Sequence, residues 1–294
     1  MPEDLAAIAF RALRSRFFDE RGQPIEFELR DKRNTQDDPF DVEVCDTLRR
    51  AVTGDIQCVS APGPLVSPDM ALLRPSLCSG KSHEALRADS TALIAIEVKK
   101  LERGENGQIA RASGLDYNTT PPCGTVRVYD KLGQSVDMRG FYLFVCLEKG
   151  SRTGTSRLTA LALCDGDILN ADYKYYIDIT GERTKDIGVG TYGDGANRNR
   201  PMVIFANPLG ARILDRAVTL VHRSDQLAIN SLVKVGAIER TAIIGGKRVK
   251  FHCYRDRRDA GAEFAVVDPF PNPKNRSEKT VGRGRFSLPF SISK

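Results

Sequence analysis

Asp69, Glu97 and Lys99 are the residues of this chain whose types and spacing suit bond-breaking chemistry. Asp69 follows Pro68, and 27 residues separate it from Glu97. The stretch 91–100 reads TALIAIEVKK, an apolar run ending in an acid and an amine two positions apart. A strand has period two, so Glu97 and Lys99 project from one face while Ile96 and Val98 project from the other. The apolar residues before them predict a strand buried on both sides, with its charged end at the sheet margin. Asp69, on a second predicted strand at 66–73, adds another carboxylate, and the two acids can share a divalent cation.

Such a set can hydrolyse a phosphodiester. The reaction needs an oriented water, charge neutralisation in the transition state and stabilisation of the leaving oxygen, which a carboxylate-held metal ion supplies in large part. A lysine ammonium stabilises the developing negative charge, or activates water if its pKa is lowered. Desolvation lowers a lysine pKa and nearby carboxylates raise it, so the general-base role stays open. The rival explanation is structural. Pro-Asp is common at turns, and a surface Glu-x-Lys ion pair is worth little. The conjunction on two apolar strands favours the metal-dependent reading.

The elements that must position these residues follow from periodicity. Residues 4–19 read as an amphipathic helix, and 41–52 as a second one, with Asp41 as N-cap and Gly54 as stop. Strands are expected at 66–73, 91–99, 125–130, 140–147, 157–164 and 202–206. Helical segments are expected at 108–112, 165–177 and 225–234. Residues 74–90 read as a loop or short helix, and 213–222 as a further ordered segment. Residues 186–200 form a glycine-rich loop, and 241–255 a basic hairpin around Gly245-Gly246. The mixture predicts an α/β or α+β fold around a mixed central sheet. One domain spans 1–294, with a core at about 41–165 and elaborations at about 186–294, the last of them basic.

Composition narrows the chemistry. The seven cysteines are odd in number and form no CxxC pair, and there are only three histidines. Structural zinc is therefore disfavoured, reduced thiols of a cytoplasmic protein are expected, and oxygen ligands suit Mg²⁺ or Mn²⁺. No stretch approaches a membrane span, and the N-terminus lacks a secretory signal pattern. The net charge of +6 is uneven, because residues 240–294 hold thirteen Lys and Arg against five Asp and Glu. A basic region beside a nearly neutral body suggests a polyanionic partner.

Pro68-Asp69 with Glu97-Val98-Lys99 resembles the motif of the PD-(D/E)xK nuclease superfamily, and specifically type II restriction endonucleases. The motif covers about 30 residues. The resemblance implies a restriction endonuclease-like fold, a mixed five-stranded core sheet flanked by helices, and Mg²⁺ dependence, with Mn²⁺ as a substitute. It implies a bacterial or archaeal homodimer that cuts one strand of double-stranded DNA per subunit, leaving 5′-phosphate and 3′-hydroxyl ends. A cognate DNA methyltransferase would protect the host. Asp69 and Glu97 would be the metal ligands and Lys99 would face the phosphate. Family members often add an acid from an N-terminal helix, for which Glu43 is the best match and Asp46 the nearest alternative.

Base reading needs donors and acceptors that reach base edges. Asn197, Arg198, Asn199 and Arg200 lie in the glycine-rich loop before a buried-type strand, and Asn118 follows the catalytic strand. Lys247, Arg248, Lys250 and Arg255, in and around the expected hairpin, suit phosphate contacts. His222 and His252 lack an acidic partner at ligand spacing. The stretch 188–190 is no nucleotide cradle, since no Walker lysine follows. Two alternatives remain at this stage: a structure-specific repair or recombination nuclease of the same fold, and a non-catalytic DNA-binding protein.

Overall fold

A computed structural model describes residues 2–33, 37–62, 68–103, 117–119, 123–129, 135–169, 187–191, 201–205, 218–227, 229–241 and 248–259. The chain opens with helix α1 (Leu5–Phe17), capped by Asp4, whose carboxylate accepts from the N–H groups of Ala6 at 2.8 Å and Ala7 at 3.2 Å. A side-chain oxygen at this position satisfies backbone donors that have no partner within the helix. Strand β1 (Phe27–Glu28) precedes helix α2 (Pro39–Ala51). A meander follows: β2 (Gln57–Ser60), β3 (Met70–Leu73), two short helices α3 (Pro75–Cys78) and α4 (His83–Ala88), then β4 (Leu93–Arg103).

Beyond β4 come β5 (Tyr117–Thr119), β6 (Thr125–Tyr129), β7 (Ser135–Lys149) and β8 (Thr155–Asp165). Next are β9 (Ile187–Thr191), β10 (Pro201–Phe205), β11 (Val218–His222), β12 (Leu232–Thr241) and β13 (Arg248–Asp256), with a 3₁₀ turn at Arg257–Asp259. The main sheet has the order β12-β13-β11-β8-β7-β4-β3-β2, with β1 joining β8 and β6 joining β7. Its pairings are antiparallel except β4 with β7 and β8 with β11. A second sheet has the order β5-β10-β9. The fold is α/β with a mixed, largely antiparallel central sheet flanked by helices, as the periodicities predict.

Strand β4 is the spine of this arrangement. Ile94, Ile96 and Val98 face one side, where they join Leu5, Phe10 and Leu13 of α1 and Phe40, Val44 and Leu48 of α2 in one core cluster. Leu93 and Ala95 pack on the other side with Met138, and Leu101 joins Phe144 and Cys146. Apolar burial on both faces is worth roughly 1.5–3 kcal/mol for each large side chain removed from water. A strand so enclosed keeps the charges at its far end in fixed register.

Several expectations need correction. Helix α2 begins at Pro39 rather than Asp41, because Asp38 accepts from Phe40 N–H at 3.2 Å and Pro39 sits at N1. Proline lacks only an N–H that this position leaves unbonded in any case. The described residues of 225–234 form no helix, and Leu232 begins β12. Part of the glycine-rich stretch is strand β9, and Asn118 lies within strand β5. The basic hairpin exists as β12 paired with β13, its register running from Thr241↔Arg248 to Leu232↔Asp256. Residues 108–112 and the Gly245-Gly246 turn lie outside the described residues. So does most of the 165–177 segment, of which 166–169 are helical.

Candidate active site

The antiparallel pairing of β3 with β4 sets Met70 opposite Ile96, which carries Asp69 across from Glu97. Asp69 Oδ2 accepts from the backbone N–H of Val98 at 2.6 Å. Lys99 Nζ donates to Glu97 Oε1 at 3.0 Å, as two residues on one face of a strand should. The structure thus brings Asp69, Glu97 and Lys99 together at the point where the apolar run of β4 gives way to charge.

More acid converges here than the motif itself contains. Asp41, in the first turn of α2, feels the charges of Asp69 and Glu97, and Asp38, its N-cap, acts on both Asp41 and Asp69. Burial pushes the Asp41 carboxyl up to about 8, and the charges of Asp38, Asp69 and Glu97 reinforce it against Lys100. Asp69 is pushed up to about 7, first by burial and then by Glu97, while the Val98 N–H and Lys99 oppose the rise. Lys99 moves above its ordinary value although burial acts the other way, because Glu97, Asp69 and Asp41 hold its proton. Lys100 behaves likewise: it is buried and ion-pairs with Asp38 and, at 3.2 Å, with Glu102.

Glu43 is placed differently from the expectation. It lies on α2 but pairs with Arg16 at 2.9 Å and with Arg50 at 3.7 Å. Asp46 pairs with Arg49 at 3.3 Å. The acid of this helix that the charges of Asp69 and Glu97 reach is Asp41. Sequence reasoning missed Asp38 and Lys100 and gave Asp41 only a capping role. The signal was the Asp38-Pro39 step, which fixes the helix start one turn earlier and moves Asp41 inside it.

Among the described residues no group of three or more His, Cys, Asp and Glu side chains converges as a ready metal cluster. The donor set near Asp69 nevertheless fits Mg²⁺ in kind. It offers two hard carboxylates that repel each other, and Mg²⁺ ordinarily keeps several waters beside one or two carboxylates. Lys99 on Glu97, and the Val98 N–H on Asp69, are the contacts that neutralise these two acids in the structure.

The expected DNA-contacting residues divide. Arg248 and Lys250 are exposed on β13 and share Glu239, at 3.9 and 3.7 Å. Arg255 is only 2% exposed, with Nε 3.4 Å from Thr219 Oγ1, so a phosphate contact from it is closed off by packing. Asn118 pairs in register with Ile204 of β10, whose first residue, Pro201, directly follows Arg200. Asn197, Arg198, Asn199, Arg200 and Lys247 lie outside the described residues. His222 does have an acidic partner, distant in sequence: its Nε2 lies 3.3 Å from Asp4 Oδ2, and its Nδ1 accepts from Ser224 N–H at 2.9 Å.

The chain matches no protein-family model, and no curated protein is significantly similar to it. Among the described residues no helix is long and apolar enough to cross a membrane.

Proposed function

We propose that this protein is a Mg²⁺-dependent, sequence-specific endonuclease of double-stranded DNA, built on a restriction endonuclease-like fold of the PD-(D/E)xK superfamily. The observation that carries the reading is the convergence of Asp69, Glu97 and Lys99 across the β3–β4 pair. A mixed sheet with α1 and α2 on one face supports it, as does the basic region 240–294. The companion roles implied are a homodimer cutting one strand per subunit and a methyltransferase guarding the host's own sites.

The residues divide the work. Asp69 and Glu97 would hold the metal, and the chemistry a bound Mg²⁺ supplies is neutralisation of phosphate charge and an acidified water. Lys99, kept protonated by its acidic neighbours, lies against the scissile phosphate and stabilises its developing negative charge. That direction argues against Lys99 as general base, the role the sequence left open. Asp41 is a further carboxyl beside the pair, ionisable when a cation binds, and Asp38 ion-pairs with Lys100.

Purified protein with Mg²⁺ should cut unmethylated plasmid or phage DNA into discrete bands. Glu97→Ala and Lys99→Ala should abolish cutting and leave specific binding largely intact. A smear, cleavage confined to branched DNA, or full activity in both variants would overturn the proposal.

A further inference from the structure

Two thiols meet between α2 and β2. Cys45 on α2 and Cys58 on β2 place their Sγ atoms 3.7 Å apart, and Cys58 Sγ lies 3.8 Å from the backbone oxygen of Cys45. Cys45 is 4% exposed, whereas Cys58 is half-buried and open to small molecules at the sheet edge. Arg49 reaches over the pair, its Nε 3.5 Å from Cys58 O and its Nη2 2.8 Å from Ser60 Oγ. The other five thiols differ: Cys123, Cys146, Cys164 and Cys253 are buried, and Cys78 donates to Ala92 O at 3.4 Å.

We infer that Cys45 and Cys58 form a redox pair, closed to an intramolecular disulfide by a small hydroperoxide and reopened by a dithiol. The sulfurs need to approach by only about 1.7 Å to reach the roughly 2.05 Å of a disulfide, a change that side-chain rotation can supply. The hydrogen bond from Cys58 holds Cys45 down to about 7, and the same bond pushes Cys58 up, so the pair shares one proton near neutrality. A thiolate is the reactive form, and proton exchange within the pair makes it available at the exposed sulfur.

The chemistry balances. Cys58 Sγ, its proton passed to Cys45 Sγ, attacks one oxygen of hydrogen peroxide; the O–O bond breaks, Cys58 becomes a sulfenic acid, and the departing hydroxide takes the proton from Cys45 to leave as water. Cys45 Sγ then attacks the sulfenic sulfur, the S–S bond forms, and the hydroxyl leaves as a second water. Two thiols and one peroxide thus give one disulfide and two waters. The bond ties α2, which carries Asp41, to β2, whose following residue Ala61 donates its N–H to Asp69 O at 2.8 Å. The inference does not depend on the nuclease reading.

Peptide mapping tests it on the full chain. Arg49 and Arg50 lie between the two cysteines, so trypsin separates them unless a bridge holds the peptides together. After stoichiometric hydrogen peroxide, the expected result is a linked pair of peptides 34–49 and 51–81, because trypsin does not cut at Arg74-Pro75, with fragmentation placing the bridge at Cys58 and not Cys78, two fewer titratable thiols in denaturant, and reversal by dithiothreitol. The oxidised protein should also melt several degrees higher, since the bridge closes a loop in the unfolded chain. Cys45→Ser and Cys58→Ser should each lose the linkage, and Cys78→Ser should keep it. A bridge to a different cysteine or between two chains, conversion of Cys58 to sulfinic acid without a bridge, or an unchanged thiol count would overturn the inference.

Discussion

Asp69 Oδ2 accepts a 2.6 Å hydrogen bond from the N–H of Val98, the residue that stands between Glu97 and Lys99 on β4. One bond therefore anchors the acid from β3 to the strand that carries the other two groups. It also aims a backbone donor at a carboxylate that burial and Glu97 are pushing toward protonation. The acid is held in place by geometry while its charge is opposed by its surroundings, as at sites that exchange protons or capture cations.

That opposition predicts how stability depends on pH without metal. The unfolded chain loses the Asp69 proton near 3.8 and the native protein near 7, so between those values the native state binds more protons. Stability then falls as pH rises through this window, and Asp41 extends the fall to about 8. The full window corresponds to about 4 kcal/mol, and the part above pH 5 to about 3 kcal/mol. Urea unfolding at pH 5 and pH 8 measures it, and Asp69→Asn should flatten the difference. A steeper rise of stability with pH in the wild type would refute the electrostatic picture.

Divalent cation should reverse the same penalty. Differential scanning fluorimetry should show Mg²⁺ raising Tm more at pH 8, where Asp69 is ionised, than at pH 6, because ligand binding stabilises the native state by mass action. Chelation should return Tm to the metal-free value. Combining Asp69→Asn with Glu97→Gln should erase the response. An equal shift in that double variant would mean the cation binds elsewhere.

Much of this site was legible because its signals are local. Glu97 and Lys99 needed only period two, and Asp69 only an apolar partner strand. Asp38 and Lys100 were not, since their pairing joins a helix cap to a strand 62 positions away. His222 and Asp4 lie still further apart in sequence, and no spacing rule links them. Residues 225–234 misled for another reason: polar and apolar positions mix there in a helix-compatible way, but Leu232 begins an edge strand paired with β13. Pairing across the sheet outweighs local preference at such positions.

The two ends of the described chain meet in a buried ion pair, Arg14 Nη2 to Asp259 Oδ1 at 2.6 Å and Nε to Oδ2 at 2.9 Å. The side chains are 1% and 0% exposed. Removing one partner strands a charge in the core, so Asp259→Ala should cost about 3–5 kcal/mol. The double replacement Arg14→Met with Asp259→Leu should recover much of that loss. Denaturant midpoints for the three variants decide the matter, and equal losses in the single and double variants would contradict it.

Asp41 and Glu43 sit two positions apart on α2 and should behave in opposite ways. Glu43 pairs with Arg16 and Arg50 near the surface, and Glu43→Gln should cost no more than about 1 kcal/mol. Asp41 is pushed up to about 8 by burial and by Asp38 and Asp69, so Asp41→Asn should raise the metal-free Tm at pH 8. With Mg²⁺ the order inverts: Asp41→Asn weakens the cation's stabilising effect and slows cleavage, whereas Glu43→Gln leaves both close to wild type. Parallel melting curves with and without Mg²⁺ separate the two acids, and a larger Mg²⁺ defect in Glu43→Gln would return the helix acid's role to Glu43.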